Sequence, residues 1–89
     1  MDERLPTVGG VVVYHDPHGN PSDALVTAVW SATCINLIIV SRDDKKTDEY
    51  GRQIERYTSM SHKNTMKVHG FYWRFPDEEP NPYVPPLGT

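Results

Sequence analysis

No stretch of the chain repeats its apolar residues at helical spacing. Five short runs instead alternate in polarity or concentrate β-branched and aromatic residues. They are residues 9–16 (GGVVVYHD), 24–31 (ALVTAVWS), 34–41 (CINLIIVS), 53–61 (QIERYTSMS) and 71–75 (FYWRF). In the second run Leu25, Thr27 and Val29 share one face, and Val26, Ala28 and Trp30 share the other. In the third, Ile35, Leu37 and Ile39 form one apolar face, yet the opposite face, with Asn36, Ile38 and Val40, is also largely apolar. A strand apolar on both sides is central in its sheet or is covered by a neighbour.

The separators support an all-β reading. Residues 17–23 (PHGNPSD) are a cluster of turn formers. Residues 42–53 are highly charged and read as a loop or a long hairpin tip, with Gly51 suited to a bend. Residues 62–70 read as a loop or a single helical turn. Five of the eight prolines fall in residues 76–89, where they block both helix and sheet ladder. Five short strands in one 89-residue domain point to a small five-stranded SH3-like barrel over residues 9–76. An N-terminal extension (1–8) precedes it and a proline-rich, acidic C-terminal arm (77–89) follows. An OB-like barrel is the alternative, but it calls for a helix between its third and fourth strands, a role for which 42–53 is poorly suited.

A domain this small buries roughly 60–65% of its unfolded surface, so self-association would help it and a homo-oligomer is expected. The single cysteine, Cys34, leaves no internal disulfide and suits a reducing compartment. The opening MDERLPT is charged and is expected not to be a signal peptide, and the longest apolar run, INLIIV, falls far short of a membrane helix. A cytoplasmic location is expected. Three of the twelve acids lie in residues 76–89, which hold no Lys or Arg, so residues 1–75 are balanced at nine of each sign. A neutral body argues against broad duplex nucleic-acid binding, which depends on many phosphate contacts.

The succession VVVYHDPHGNPSDALVTAVW, CINLIIVSRD and HGFYWRFP resembles small accessory proteins of bacteriophages and prophages, over about residues 9–76. The resemblance implies a small β-barrel acting in the cytoplasm of an infected bacterium. It carries no activity with it, and the proline-rich tail lies outside it.

Chemical motifs are sparse. His15, Asp16 and His18 have spacing that metal ligands can adopt, but Asp-Pro is equally a turn starter, and Cys34, His62 and His69 lack the spacing to complete a set of four ligands. Cys34 opens the most apolar strand and reads as a buried structural thiol rather than a nucleophile. No catalytic residues, metal or cofactor are expected. Arginine beside an aromatic platform suits a nucleotide-type ligand, through stacking and charge-assisted bonds to phosphate. Arg52, Arg56, Tyr57, Tyr72, Trp73 and Arg74 are therefore the candidate contact residues. Alternation within 71–75 sends Phe71, Trp73 and Phe75 to the core and leaves Tyr72 and Arg74 exposed; a one-residue slip would bring Trp73 outward instead. In the arm, Tyr83, Val84 and Leu87 are expected to dock into an aromatic groove on this chain or a neighbour.

Together these features predict a non-enzymatic viral binding module. It would capture a small ligand or a host protein, sequestering a nucleotide-type signalling molecule or blocking a defence protein. The alternative is a structural virion component, a decoration or connector protein that uses its C-terminal arm for assembly.

Overall fold

The structure is a computed structural model and describes residues 4–65 and 71–82. It is all-β. The strands are β1 (Val11–His15), β2 (Pro21–Val29), β3 (Cys34–Val40), β4 (Thr47–Asp48), β5 (Gly51–Arg52), β6 (Ile54–Ser61) and β7 (Tyr72–Arg74). Five of them form one antiparallel sheet in the order β6-β3-β2-β1-β7, curled into a half-barrel of SH3-like strand order. The charged stretch between β3 and β6 is a hairpin tip, with β4 and β5 paired and Gly51 at φ 113°.

Local chemistry sets the connections. Asp16 accepts the backbone N–H groups of His18 and Asn20, both at 2.9 Å, and Gly19 turns at φ 87°. The stretch HDPH is thus part of a turn that starts β2 at Pro21. Between β2 and β3, the Ser31 hydroxyl accepts the N–H groups of Thr33 and Cys34. Cys34 itself is only half-buried, so it is not the sequestered thiol that its apolar strand suggested.

Two register shifts bend the sheet at the level of Asn36. The β2–β3 ladder slips between Val26 and Ala28, and the β3–β6 ladder slips between Tyr57 and Met60. At the second bulge Ser59 adopts φ 52°, and its N–H is accepted by Asn36 Oδ1 at 2.9 Å. Bulges of this kind increase local twist and coil the strands. The second one also changes which residues face inward. Simple alternation groups Met60 with Ile54, Arg56 and Thr58, whereas Met60 is buried in the core while those three are exposed.

The concave side carries the core: Val12 and Tyr14 from β1, Ala24 and Val26 from β2, Ile35, Leu37 and Ile39 from β3, Met60 from β6 and Trp73 from β7. Trp73 has no exposed surface, and its indole Nε1 donates to the Thr33 carbonyl at 3.1 Å. Among the described residues the ends of β6 and β7 meet where His62 and Trp73 form an isolated parallel bridge and Lys63 N donates to Trp73 O.

The last strand differs from its alternation. Phe71 is 45% exposed while Tyr72 is 6% exposed, although Tyr72 does lie on the side opposite Trp73. The reason is that the segment after β7 folds back. The Tyr72 ring stacks on His15 at 4.6 Å, and its hydroxyl accepts Asn81 N at 2.9 Å. Glu78 N donates to Phe75 O, and the Glu78 carboxylate accepts Phe75 N and the His62 Nε2 proton, each at 2.8 Å. Asp77 pairs with Arg4 at 2.8 Å, and the Arg4 guanidinium lies 4.0 Å above the Phe75 ring. The acids thus start a cap rather than a free arm. Tyr83, Val84 and Leu87 lie outside the described residues. Among the described residues no helix is long and apolar enough to cross a membrane.

Candidate functional site

Alternation along the strands sends a second set of side chains to the convex side of the sheet. Strand register places Arg56 opposite Ile38, Ile38 opposite Leu25 and Leu25 opposite Val11. Beside them Ile54 lies opposite Val40, Asp23 opposite Val13 and Val13 opposite Arg74. Val11 and Val40 are each 55% exposed, Ile54 53% and Leu25 44%. With half-buried Ile38 they surround a shallow hollow of about 330 Å³. The two-sided apolarity of β3 is therefore real, and its outer side is left uncovered by the described residues.

Asp23 and Val40 also line a neighbouring groove of about 520 Å³, together with Val13, Pro21, Ser22, Arg42 and Arg74. Both arginines are held by neutral groups. Arg42 Nη1 donates to Pro21 O at 2.8 Å and Ser22 Oγ at 3.2 Å. Arg74 Nε donates to His15 Nε2 at 3.0 Å, and its Nη1 donates to the carbonyls of Phe75, Pro76 and Glu78, the last at 2.7 Å. Among the described residues neither is within ion-pair distance of a carboxylate; the pairs there are Arg4–Asp77, Lys46–Glu55 and His62–Glu78. Because guanidinium nitrogens only donate, His15 Nε2 must be the accepting nitrogen and Nδ1 the protonated one, facing Gly19 O at 3.3 Å. Burial, and then the Arg74 cation, hold the His15 pKa below its ordinary 6.5 and keep the ring neutral.

A second polar cluster stands where β6 leaves the hairpin. The Tyr57 hydroxyl donates to Glu55 Oε1 at 2.7 Å, and Ser41 Oγ donates to Glu55 Oε2 at 2.6 Å. Lys46 Nζ lies 3.7 Å from the same carboxylate, and Arg52 Nη1 donates to Ser41 O. Ser41 and then Tyr57 hold the Glu55 carboxyl below its ordinary range, and donation to Glu55, followed by burial, raises the Tyr57 phenol above its own. The Tyr57 ring stacks on Tyr14 at 4.9 Å. This cluster ties the hairpin to the sheet.

The six candidate contact residues are therefore divided. Arg52 and Tyr57 belong to the hairpin strut. Trp73 is core and offers no face to a ligand, because the ladder to Tyr14 turns it inward. Tyr72 is sealed between His15 and Asn81. Arg56 and Arg74 do share the convex side, but from opposite edge strands. Reading from sequence missed Arg42, which reaches β2 from the connection after β3, and the exposed apolar set on β1, β2, β3 and β6. It also missed Trp30, which is 64% exposed yet fixed by donation from Nε1 to Asn36 Oδ1 at 2.8 Å. The apolar outer side of β3 was the available signal. Comparison of the chain with protein families, with characterised proteins and with solved structures yields no match.

Proposed function

We propose that this chain is a non-enzymatic binding module that captures a ligand on the convex side of its sheet. The observation carrying this reading is the exposed set Val11, Leu25, Val40 and Ile54 directly behind the core. Leaving such side chains in water forfeits roughly 25 cal/mol for each Å² that a partner would cover. Soluble domains rarely leave contiguous apolar surface open without a use for it. The neighbouring groove adds fixed cationic donors, so the surface combines apolar area with a few oriented polar groups, the make-up of a ligand site. The bacteriophage accessory role rests on the sequence resemblance alone.

The test is native mass spectrometry of the chain purified from phage-infected bacterial cells, alongside Leu25→Glu. Leu25 is half-exposed, so the variant is expected to keep the melting temperature of the parent. A bound mass present on the parent and absent from Leu25→Glu supports the proposal, and a doubled protomer mass identifies a second copy as the occupant. A bare protomer in both preparations, or a bound mass indifferent to Leu25→Glu, overturns it.

A further inference from the structure

We infer that the groove between Arg42 and Arg74 is a phosphate subsite for a nucleotide-type ligand whose base lies in the adjoining apolar hollow. This rests on the convex side being the binding surface.

The first reason is an unbalanced charge. Arg74 is half-buried, and both Nε and Nη1 are committed to four neutral acceptors: His15 Nε2 and the carbonyls of Phe75, Pro76 and Glu78. Cations removed from water are normally balanced by an anion. Here the acceptors fix the guanidinium without neutralising it, and they leave Nη2 uncommitted. Arg42 is exposed, so water balances its charge, but it is anchored in the same way: Nη1 is held on Pro21 O and Ser22 Oγ, leaving Nε and Nη2 as donors. Two such arginines line one groove, and planar guanidinium donors match phosphate oxygens in geometry and charge. Anchoring beforehand means that little side-chain entropy is lost when the anion arrives.

The second reason is what surrounds them. Asp23 is the only carboxylate among the groove's lining residues, and it lines the apolar hollow as well. An ionised carboxylate accepts hydrogen bonds and repels anions. It therefore disfavours a bare polyanion but suits a ligand with hydroxyl donors between its phosphate and its apolar part, which describes the sugar of a nucleotide. Beyond it, Val11, Leu25, Ile38 and Ile54 provide an apolar bed for a flat base. Arg56 stands at the far side of the hollow, opposite Ile38 and exposed, where it can meet a second anionic group.

Calorimetric titration of the full chain with ADP, adenosine and inorganic phosphate tests the assignment. ADP is expected to bind more tightly than either fragment, and Arg42→Gln to weaken ADP about tenfold or more, as loss of one charge-assisted contact implies. Adenosine binding should be indifferent to Arg42→Gln, and Arg42→Lys should restore part of the ADP affinity. Arg42→Gln also loses its bond to Pro21 O, so amide chemical shifts of the parent with ADP provide an independent readout. They should cluster at Val13, Ser22, Asp23 and Val40. No ADP binding at millimolar concentration, or shifts confined elsewhere, overturns the subsite. If ADP fails while Leu25→Glu still abolishes a bound partner, the phosphate subsite falls and the convex-surface reading stands. If ADP binds with Arg42 dependence while Leu25→Glu leaves its affinity unchanged, the phosphate subsite stands and the apolar hollow falls as the place of the base.

Discussion

His15 links the groove to pH. Its neutral ring accepts from Arg74, and protonation of Nε2 would set two cations against each other. Burial, then the Arg74 charge, depress its folded pKa below 6.5; the Gly19 carbonyl and Asp16 oppose that shift without reversing it. The unfolded chain therefore takes up this proton first as pH falls. The stability His15 contributes is complete above 6.5 and is lost as pH drops from there through the folded pKa. Urea midpoints should fall over that interval, and His15→Phe, which keeps a ring against Tyr72, should flatten the dependence. A midpoint in the parent that is unchanged across it would remove His15 from this role. At the alkaline end, Tyr57 donates to Glu55 and is held above the ordinary phenol value of 10.0. Spectrophotometric titration should show a late-ionising phase that loses amplitude in Tyr57→Phe, the remainder belonging to Tyr14, whose phenol burial also raises.

At the scale of strands, Asn36 organises the curl. Its Oδ1 accepts Trp30 Nε1 from one side and Ser59 N from the other, beside the slip in each ladder. Asn36→Ala removes both bonds and should cost about 1–3 kcal/mol. Ser59→Val should cost about 1–2 kcal/mol independently, because a β-branched residue is strained at φ 52°. Equilibrium urea unfolding measures both, and full stability in either variant would show that the bulges do not depend on these residues. The same bulges explain how far the strands were legible. Ile35, Leu37 and Ile39 alternate without interruption, and their inward face was readable from sequence. The face of Met60 was not, because one extra residue in β6 inverts the order and a bulge leaves little mark on polarity. The candidate site suffered likewise. Arg56 and Arg74 could be named from residue type, but their separation onto opposite edges follows from the strand order, which no local pattern encodes.

For the molecule as a whole, closure depends on contacts between distant parts of the chain, and these were the least legible. Arg4 and Asp77 are seventy-three residues apart, and the acids after Pro76 look from their composition like a solvated arm. In the fold they complete the last strand. Glu78 serves Phe75 N and His62 Nε2 with its carboxylate and Arg74 with its carbonyl, while Asn81 joins the Tyr72 hydroxyl to Lys63 O. The network also seats Arg74 in the groove, so the cap and the proposed site are one mechanical unit. Ending the chain after Pro76 would strand several part-buried donors and acceptors at about 1–3 kcal/mol each. For a domain whose total stability is about 5–15 kcal/mol, that is a large fraction. Ending it after Pro82 keeps every one of these contacts. Urea unfolding of the two truncated chains should therefore separate them, with the shorter one strongly destabilised relative to the longer. Equal midpoints would show that the half-barrel closes without its cap. Loss of ADP binding from the shorter chain, under conditions where it is still folded, would show that the cap's remaining task is to hold Arg74 in place.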